Sequence, residues 1–203
     1  MKIIGLTGPS GAGKSTLCEK FEELGIPCID TDKIYHEITN KPSPCLDELC
    51  EKFGSAIINE HGGLDRVALA KLVFESDNKE KNLSNLNATT HKYIWYETNR
   101  ILTKYIEDGK VAAIIDAPAL FSSKIFIGAC DFIISVLCDK ESRLERIMKR
   151  DGISHEKALA RINAQPSDEF FIENSDYYIT NCGTKNEMNE QLLSIFEQEE
   201  ILI

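Results

Sequence analysis

The 203-residue sequence has no long apolar run and is short of positive charge. Its longest apolar stretches, 111–115 and 132–137, are far too short to cross a bilayer, and the short N-terminal run leads into glycines, unlike a secretory signal. Basic residues number 23 against 33 acidic ones. That balance argues against general nucleic-acid binding, because phosphate neutralisation needs clustered Lys and Arg. We expect neither a membrane nor a nucleic acid among the partners.

The seven cysteines do not form a disulfide framework, since their number is odd and no CxxC occurs. Several lie in apolar runs, as in CDFIISVLC, which is typical of small core residues in a reducing compartment. We therefore expect a cytoplasmic protein. Its length and its 42% hydrophobic content suit one α/β domain with a small inserted subdomain.

Short β-branched runs alternate with helical periodicity towards both ends of the chain, which predicts an α/β fold with a parallel sheet and crossover helices. The predicted strands are 2–7, 26–30, 111–116, 131–137 and 176–180. The predicted helices are 14–24, 32–40, 45–53, 65–75, 78–108 and 185–200, with a weak strand-like patch at 56–58. The predicted subdivision is a core (1–61, 111–139 and 175–203), a helical insertion (about 62–110) and a mostly helical lid (about 140–174).

A glycine-rich loop, GPSGAGKS at residues 8–15, stands between the first strand and the first helix. This is the Walker A pattern in its expected context: glycines let backbone N–H groups turn towards an anion, and the helix adds its positive N-terminus. Lys14 would bind the β- and γ-phosphates, and the Ser15 hydroxyl would ligate Mg²⁺. The predicted nucleotide-binding residues of this loop are Gly8, Pro9, Ser10, Gly11, Ala12, Gly13, Lys14, Ser15 and Thr16.

The loop alone does not name the reaction, because GTPases, motor ATPases and kinases share it. The glycine at position 11 is typical of nucleotide and small-metabolite kinases. No NKxD guanine signature is present, and the chain is short for a motor. These features favour a small-molecule kinase that uses ATP and Mg²⁺.

Acidic residues follow two of the predicted strands, where ligands of parallel α/β sheets bind. Asp30 and Asp32 end the second strand, and Asp116 ends the third. Phosphorylation of an alcohol needs a proton acceptor, and Asp32 is our first choice and Asp30 the second. The alternative is that Asp32 caps the next helix. Asp116 would hold Mg²⁺ through water, or would be a turn residue before Pro118.

Segment 140–161 is locally basic in an acidic chain. Arg146 and Arg150 share one helical face, Arg161 follows on the next helix, and Gln165 lies one turn further on. Arginines placed in this way could close over a triphosphate and neutralise charge in the transition state. The alternative is a solvated helix with i,i+4 ion pairs.

The last strand is followed by Asn181-Cys182-Gly183. A loop at this position could hold the adenine edge through Asn181 and Gly183. An ordinary turn is an equally good interpretation.

Nearly the whole chain resembles the dephospho-coenzyme A kinase family. The resemblance rests on GLTGPSGAGKST, LGIPCIDTDKIYHEI, GGLDRVALAKLVF, the His91 region, DAPALF, RLERIMKRDGISHEKALARINAQ and DYYITNCG, in family order and spacing. The aspartates after strand two and the RINAQ segment are its most specific parts.

The resemblance implies transfer of the ATP γ-phosphate to the ribose 3′-hydroxyl of dephospho-coenzyme A, on a five-stranded parallel sheet of order 2-3-1-4-5. It implies that Asp32 is the catalytic aspartate and that the insertion binds the coenzyme. The implied catalytic residues are Asp32, Lys14 and Arg146, and Arg150 is implied on the ATP side. The implied substrate contacts are Asp32, Arg66, His91, Pro118, Leu120, Arg161 and Gln165. We expect a monomer or a weak homo-oligomer.

The chain departs from the family pattern at Lys92, Ser122 and Phe171. Two rival functions stay open, of which only the second is supported by these departures. One is another P-loop nucleoside or nucleotide kinase, which would share Lys14 and the basic segment. The other is a nucleotide-binding regulator with impaired catalysis.

Overall fold

The computed structural model, which describes residues 1–202, contains a five-stranded sheet. Its strands are β1 (Lys2–Thr7), β2 (Cys28–Asp30), β3 (Ala112–Asp116), β4 (Phe132–Leu137) and β5 (Tyr177–Thr180). Their order is β2-β3-β1-β4-β5, and β1 pairs in parallel with both β3 and β4, as β4 does with β5. The predicted α/β class and strand order are confirmed.

Helices fill most of the remaining chain. They are α1 (Lys14–Glu23), α2 (Thr31–Thr39), α3 (Pro44–Phe53), α4 (Arg66–Phe74), α5 (Lys79–Glu107), α6 (Lys124–Ala129), α7 (Lys140–Asp151), α8 (His155–Asn163), α9 (Asp168–Asn174) and α10 (Lys185–Gln198). The helices predicted at 14–24, 32–40, 45–53, 65–75, 78–108 and 185–200 are confirmed, with ends shifted by one or two residues. In residues 1–202, no helix is both long and apolar enough to cross a membrane.

The strand-like patch predicted at 56–58 is wrong. Ser55–Ile57 form a 3-10 turn that follows Gly54, whose φ of 84° turns the chain out of α3. Ile58 makes only an isolated antiparallel bridge to Leu64. The three apolar residues 56–58 have no neighbouring strand to pair with along their length. Ile57 is therefore buried as part of a turn rather than in a sheet.

Side-chain caps explain why several helices begin where they do. The Ser43 hydroxyl accepts a hydrogen bond from the Leu46 amide, and Pro44 occupies the first turn of α3. Asp65 accepts from the amides of Val67 and Ala68 at the start of α4. Thr184 and Glu187 form a capping box at α10.

The chain forms two compact units. The sheet unit is Met1–Ile29 with the chain from Lys104 onward, and the helical unit is Asp30–Thr103. In the sheet unit, both faces of β1, β3 and β4 are buried, as expected of a parallel sheet covered by helices. In the helical unit, Leu49, Ile57 and Val73 are fully buried in a separate apolar cluster. The subdivision into core, insertion and lid stays a prediction.

Candidate active site

Close contacts and positive φ angles require glycine at two positions of the P-loop, residues 8–15. The Gly8 φ is 141°, and a Cβ built there would lie 2.3 Å from the Val136 carbonyl oxygen. The Gly13 φ is 98°, and its added Cβ would lie 2.0 Å from Asn181 Nδ2. Both positions therefore exclude a side chain on steric and conformational grounds.

The start of α1 suits an anion. Gly13 is the N-cap residue in a left-handed conformation, and no side chain caps the first turn. No side chain therefore competes with a ligand at the start of α1, in the positive field of the helix N-terminus. Lys14 is the first helical residue and adds a cation at that end. This cradle fits the phosphates of a nucleotide.

Arg143, a buried side chain on α7, is hydrogen-bonded to the backbone of the P-loop. Its Nε donates to the Ser10 carbonyl oxygen at 3.1 Å, and its Nη2 donates to Gln165 Oε1 at 3.3 Å. Its Nη1 lies 3.3 Å from Asp168 Oδ1. Gln165 Oε1 also accepts from the Ser10 amide at 3.0 Å. Arg143 and Gln165 therefore bind the carbonyl oxygen and the amide of Ser10, the two backbone polar groups of this P-loop residue.

Arg146 lies one turn further along α7 and binds the other side of the loop. Its Nη1 donates to the carbonyl oxygens of Gly11 and Ala12, both at 3.2 Å. Its Nη2 donates to the Asn181 carbonyl oxygen at 2.9 Å, and Asn181 Nδ2 donates to the Ala12 carbonyl oxygen, also at 2.9 Å. Arg146 and Asn181 thus connect the loop after β5 to the P-loop backbone.

Arg150 and Arg161 converge on one carboxylate, Asp151, at the turn between α7 and α8. Arg150 donates to the two Asp151 oxygens at 2.7 and 3.0 Å, and Arg161 donates to Oδ2. The hydrogen bond from Arg150, followed by that from Arg161, lowers the pKa of Asp151 to about 2. Two of the arginines expected over a triphosphate are therefore held beside this acidic residue in the structure.

Asp116, the last residue of β3, is half-buried and lies beside a thiol. The Cys18 Sγ donates to its Oδ2 at 3.7 Å. A hydrogen bond with Cys28, burial and the Asp116 charge raise the pKa of Cys18 far above its ordinary value. A carboxylate here and the Ser15 hydroxyl on α1 are the hard oxygen donors that Mg²⁺ prefers. This donor chemistry fits a magnesium ion held with nucleotide phosphates.

In the helical unit, the start of α2 separates the two aspartates that follow β2. Asp30 is the N-cap residue, and its Oδ1 accepts from the Lys33 amide at 2.9 Å. Asp32 is exposed in the first turn of α2. The capping role considered for Asp32 therefore falls to Asp30.

Arg66 and His91 also belong to the helical unit. Arg66 donates to Asn40 Oδ1 and to Thr39 Oγ1, both at 3.0 Å, with its guanidinium 5.6 Å from the Tyr35 ring centroid. Burial lowers the pKa of His91, so the imidazole is neutral at pH 7.

Two positions of the DAPALF segment differ in exposure. Leu120 is fully buried, and a Cβ built on Gly5 would lie 2.8 Å from its Cδ1. Leu120 is therefore a core residue in this structure, contrary to its expected place in a substrate site. Pro118 is exposed, and its carbonyl oxygen accepts from the Thr7 hydroxyl at 3.3 Å.

The family model described as "Dephospho-CoA kinase" matches residues 2–187. The chain belongs to the dephospho-CoA kinase family. A dephospho-CoA kinase of Bacillus cereus is 40% identical to it, with 98% of each chain covered. A solved structure from Thermus thermophilus has a TM-score of 0.78 at 30% identity and covers 98% of this chain and 97% of its own. The dephospho-CoA kinase of Campylobacter jejuni has a TM-score of 0.67 at 26% identity, with 98% of each chain covered.

The departures from the dephospho-CoA kinase pattern have structural explanations. Phe171 is 4% exposed and packs against Phe121, with ring centroids 6.1 Å apart. It is a core residue of α9. Lys92 donates to Glu48 Oε2 at 2.7 Å in the helical unit, and the Ser122 hydroxyl donates to the Ala119 carbonyl oxygen at 2.7 Å.

Sequence reasoning missed Arg143, the most buried cation of the site. The motif RLERIMKR contains Arg143, Arg146 and Arg150, and helical spacing places all three near one face. Burial distinguishes them, because the Arg143 side chain is only 5% exposed. A cation three residues before Arg146 on the same helix was the available signal.

Proposed function

We propose that this protein transfers the γ-phosphate of ATP to the ribose 3′-hydroxyl of dephospho-coenzyme A, the last step of coenzyme A synthesis. The observation that carries the proposal is the P-loop cradle at the start of α1, braced by Arg143 and Arg146. Membership of the dephospho-CoA kinase family supports the choice of acceptor. That membership favours this reaction over another nucleoside or nucleotide kinase.

The P-loop amides and Lys14 bind the β- and γ-phosphates. Arg146, bound to the Gly11 and Ala12 carbonyl oxygens, adds its charge at the same loop. Arg150 and Asn181 complete the ATP side, where Asn181 is already bonded to Ala12. We propose that Ser15 and Asp116 hold Mg²⁺. The ion would neutralise charge on the β- and γ-phosphates.

Asp32 accepts the proton of the attacking hydroxyl and orients it towards the γ-phosphate. The proposal is supported by the place of Asp32 in the first turn of α2, directly after β2, and by Asp30, which is the residue that caps this helix. Arg66, His91 and Pro118 are proposed to contact the coenzyme. Arg161 and Gln165 belong to the proposed lid, about residues 140–174, whose arginines would exchange Asp151 for substrate phosphates.

Two further proposals concern the protein as a whole. A cytoplasmic location is supported by its seven free cysteines, which suit a reducing compartment. We also propose a monomer or a weak homo-oligomer. Sedimentation at micromolar concentration would test this state.

The experiment is a coupled assay of ADP release with ATP and Mg²⁺, run against dephospho-coenzyme A, adenosine, AMP, CMP and uridine. We expect strong turnover with dephospho-coenzyme A alone. Turnover with a nucleoside or nucleotide instead would overturn the acceptor. ATP binding without turnover on any of them would favour the regulator.

The matched control is Lys14→Ala, which removes the phosphate-binding ammonium and leaves the loop glycines in place. Its ADP release should fall to the background rate. A fully active Lys14→Ala variant would remove the P-loop from the reaction.

A further inference from the structure

Two thiols are in contact at the carboxyl ends of neighbouring parallel strands. Cys138 directly follows β4, and Cys182 lies in the bend after β5. The strands are paired up to Leu137 and Thr180, and the Asn181 amide donates to the Leu137 carbonyl oxygen at 2.8 Å. The two Sγ atoms are 3.4 Å apart. A disulfide needs about 2.05 Å, so an approach of roughly 1.4 Å would join them.

The two sulfurs have different surroundings. Cys182 is exposed, and its Sγ accepts a hydrogen bond from the Asp139 amide at 3.1 Å, at the N-terminal end of α7. Cys138 is 2% exposed, and burial, followed by its hydrogen bond with Cys182, raises its pKa to about 11. Cys182 is therefore the accessible nucleophile, and Cys138 stands behind it as a neutral thiol.

The charged groups around the pair are Asp139 and Arg146. The Cys138 Sγ donates to Asp139 Oδ2 at 3.7 Å, while the positive charge of Arg146 acts on Cys138 in the opposite sense. The hydrogen bonds from Ser142 at the start of α7 lower the pKa of Asp139 to about 2, so this carboxylate is ionised at neutral pH. Its charge opposes a thiolate at Cys138, which reinforces the division of roles between the two cysteines.

We propose that Cys138 and Cys182 form an oxidation site that reacts with a peroxide and closes to a disulfide. The Cys182 thiolate attacks one oxygen of hydrogen peroxide and breaks the O–O bond, which gives the Cys182 sulfenic acid and hydroxide. The Cys138 sulfur then attacks the Cys182 sulfur, its proton leaves with the hydroxyl, and water departs. Two thiols lose two electrons, and the peroxide is reduced to two waters.

Closure of this disulfide would act on the P-loop through Asn181, the neighbour of Cys182. The Asn181 side chain donates to the Ala12 carbonyl oxygen at 2.9 Å, and its own carbonyl oxygen accepts from Arg146. Asn181 Nδ2 also lies where a Gly13 side chain would be. A displacement of Cys182 towards Cys138 therefore changes the packing of residues that hold the loop.

The test is oxidation of the full-length protein with hydrogen peroxide, followed by intact mass and tryptic mapping without reductant. We expect the loss of two hydrogen atoms and one cross-link between peptides 125–140 and 162–185. Cys182→Ala should abolish this cross-link. Cys130→Ala is the matched control, because Cys130 shares the first peptide with Cys138, and it should retain the cross-link.

A second variant tests the order of events. In Cys138→Ala, oxidised Cys182 has no resolving thiol and should be trapped as the sulfenic acid by dimedone. A cross-link that persists in Cys182→Ala, or a wild type in which both thiols stay alkylatable while other cysteines oxidise, would overturn the proposal. Stoichiometric zinc that is bound by the reduced pair and protects it from peroxide would overturn it as well.

The effect of the disulfide on turnover rests on the proposed kinase activity, and it is measured separately from the cross-link. The oxidised wild type should show a kcat/KM for ATP lowered about tenfold or more, since a displacement of about 1 Å can cost about 10²-fold. Dithiothreitol should restore the value, and peroxide should not change that of Cys182→Ala. An unchanged kcat/KM after complete cross-linking would refute the connection to the P-loop. A mapped disulfide in a protein without turnover would instead refute the proposed function.

Discussion

Arg143→Met tests whether the buried guanidinium fastens the P-loop to the segment after α8. The wild-type side chain donates to the Ser10 carbonyl oxygen, to Gln165 Oε1 and to Asp168 Oδ1. Methionine retains most of the apolar volume but has no donor. The Ser10 carbonyl and the Gln165 oxygen then each lose a partner inside the protein, and we expect a clear loss of stability.

The magnitude follows from the type of each contact. The two bonds to neutral oxygens contribute about 1 kcal/mol each, the central value for a hydrogen bond inside a protein. The pair with Asp168 adds about 0–1 kcal/mol, because that carboxylate is 41% exposed and screened by water. The total is about 2–3 kcal/mol. At about 2–4 °C per kcal/mol for a domain of this size, the melting temperature should fall by about 4–12 °C.

The assay is thermal unfolding followed by circular dichroism, with Lys149→Met as the matched control. Lys149 is an exposed cation on the same helix, so its replacement changes the charge equally without touching the P-loop. The control should melt within about 2 °C of the wild type, as surface substitutions usually stay within about 0.5 kcal/mol. Equal melting temperatures for the two variants would refute the bracing role of Arg143.

Three other changes have expected outcomes. Gly13→Ala places a Cβ 2.0 Å from Asn181 Nδ2 at a φ of 98°, so ATP affinity by calorimetry should fall about tenfold, and unchanged affinity would contradict the steric argument. Asp32→Asn should retain ATP binding but lower kcat by about 10²–10⁴ if the carboxylate accepts the proton, whereas near-normal turnover would remove it from that role. In urea titrations, Glu48→Gln should be less stable than the wild type above about pH 4.5, and this difference should disappear as the pH falls to about 2. The reason is that the hydrogen bond from Lys92 lowers the pKa of Glu48 to about 2. A stability difference that does not change with pH would contradict the last expectation.

The sign of the Glu48 prediction follows from its depressed pKa. The folded state holds the carboxylate ionised between Lys92 and Lys52, while the unfolded chain protonates it near pH 4.5. Its stabilising effect is therefore complete above that pH and disappears towards pH 2. Glu51→Gln, an exposed carboxylate on the same helix, is the matched control.

Local patterns were sufficient for the helices and for the P-loop. The starts of α3, α4 and α10 directly follow Ser43, Asp65 and Thr184, whose hydroxyl or carboxylate oxygens cap free amides. The loop glycines could be read directly, because close backbone approach leaves no room for a Cβ. The strand order came with the family resemblance, since hydrophobic runs alone do not specify which strands are neighbours.

Features that depend on tertiary contacts could not be predicted. Burial separates Arg143 from Arg146 and Arg150, although all three look alike in a basic helix. Phe171, where the chain departs from the family pattern, packs in the core, and its own residue type does not show which neighbours cover it. The Cys138–Cys182 contact depends on the register of β4 and β5, which places thiols 44 residues apart next to each other.

Identification of the phosphorylated atom is the direct test of the proposed 3′-hydroxyl kinase activity. The product of ATP and dephospho-coenzyme A would be isolated and studied by proton–phosphorus correlation NMR. We expect a new phosphate signal coupled to the ribose H3′ proton, and none when Lys14→Ala replaces the wild type. Coupling to H2′, or inorganic phosphate as the only new phosphorus species, would contradict it.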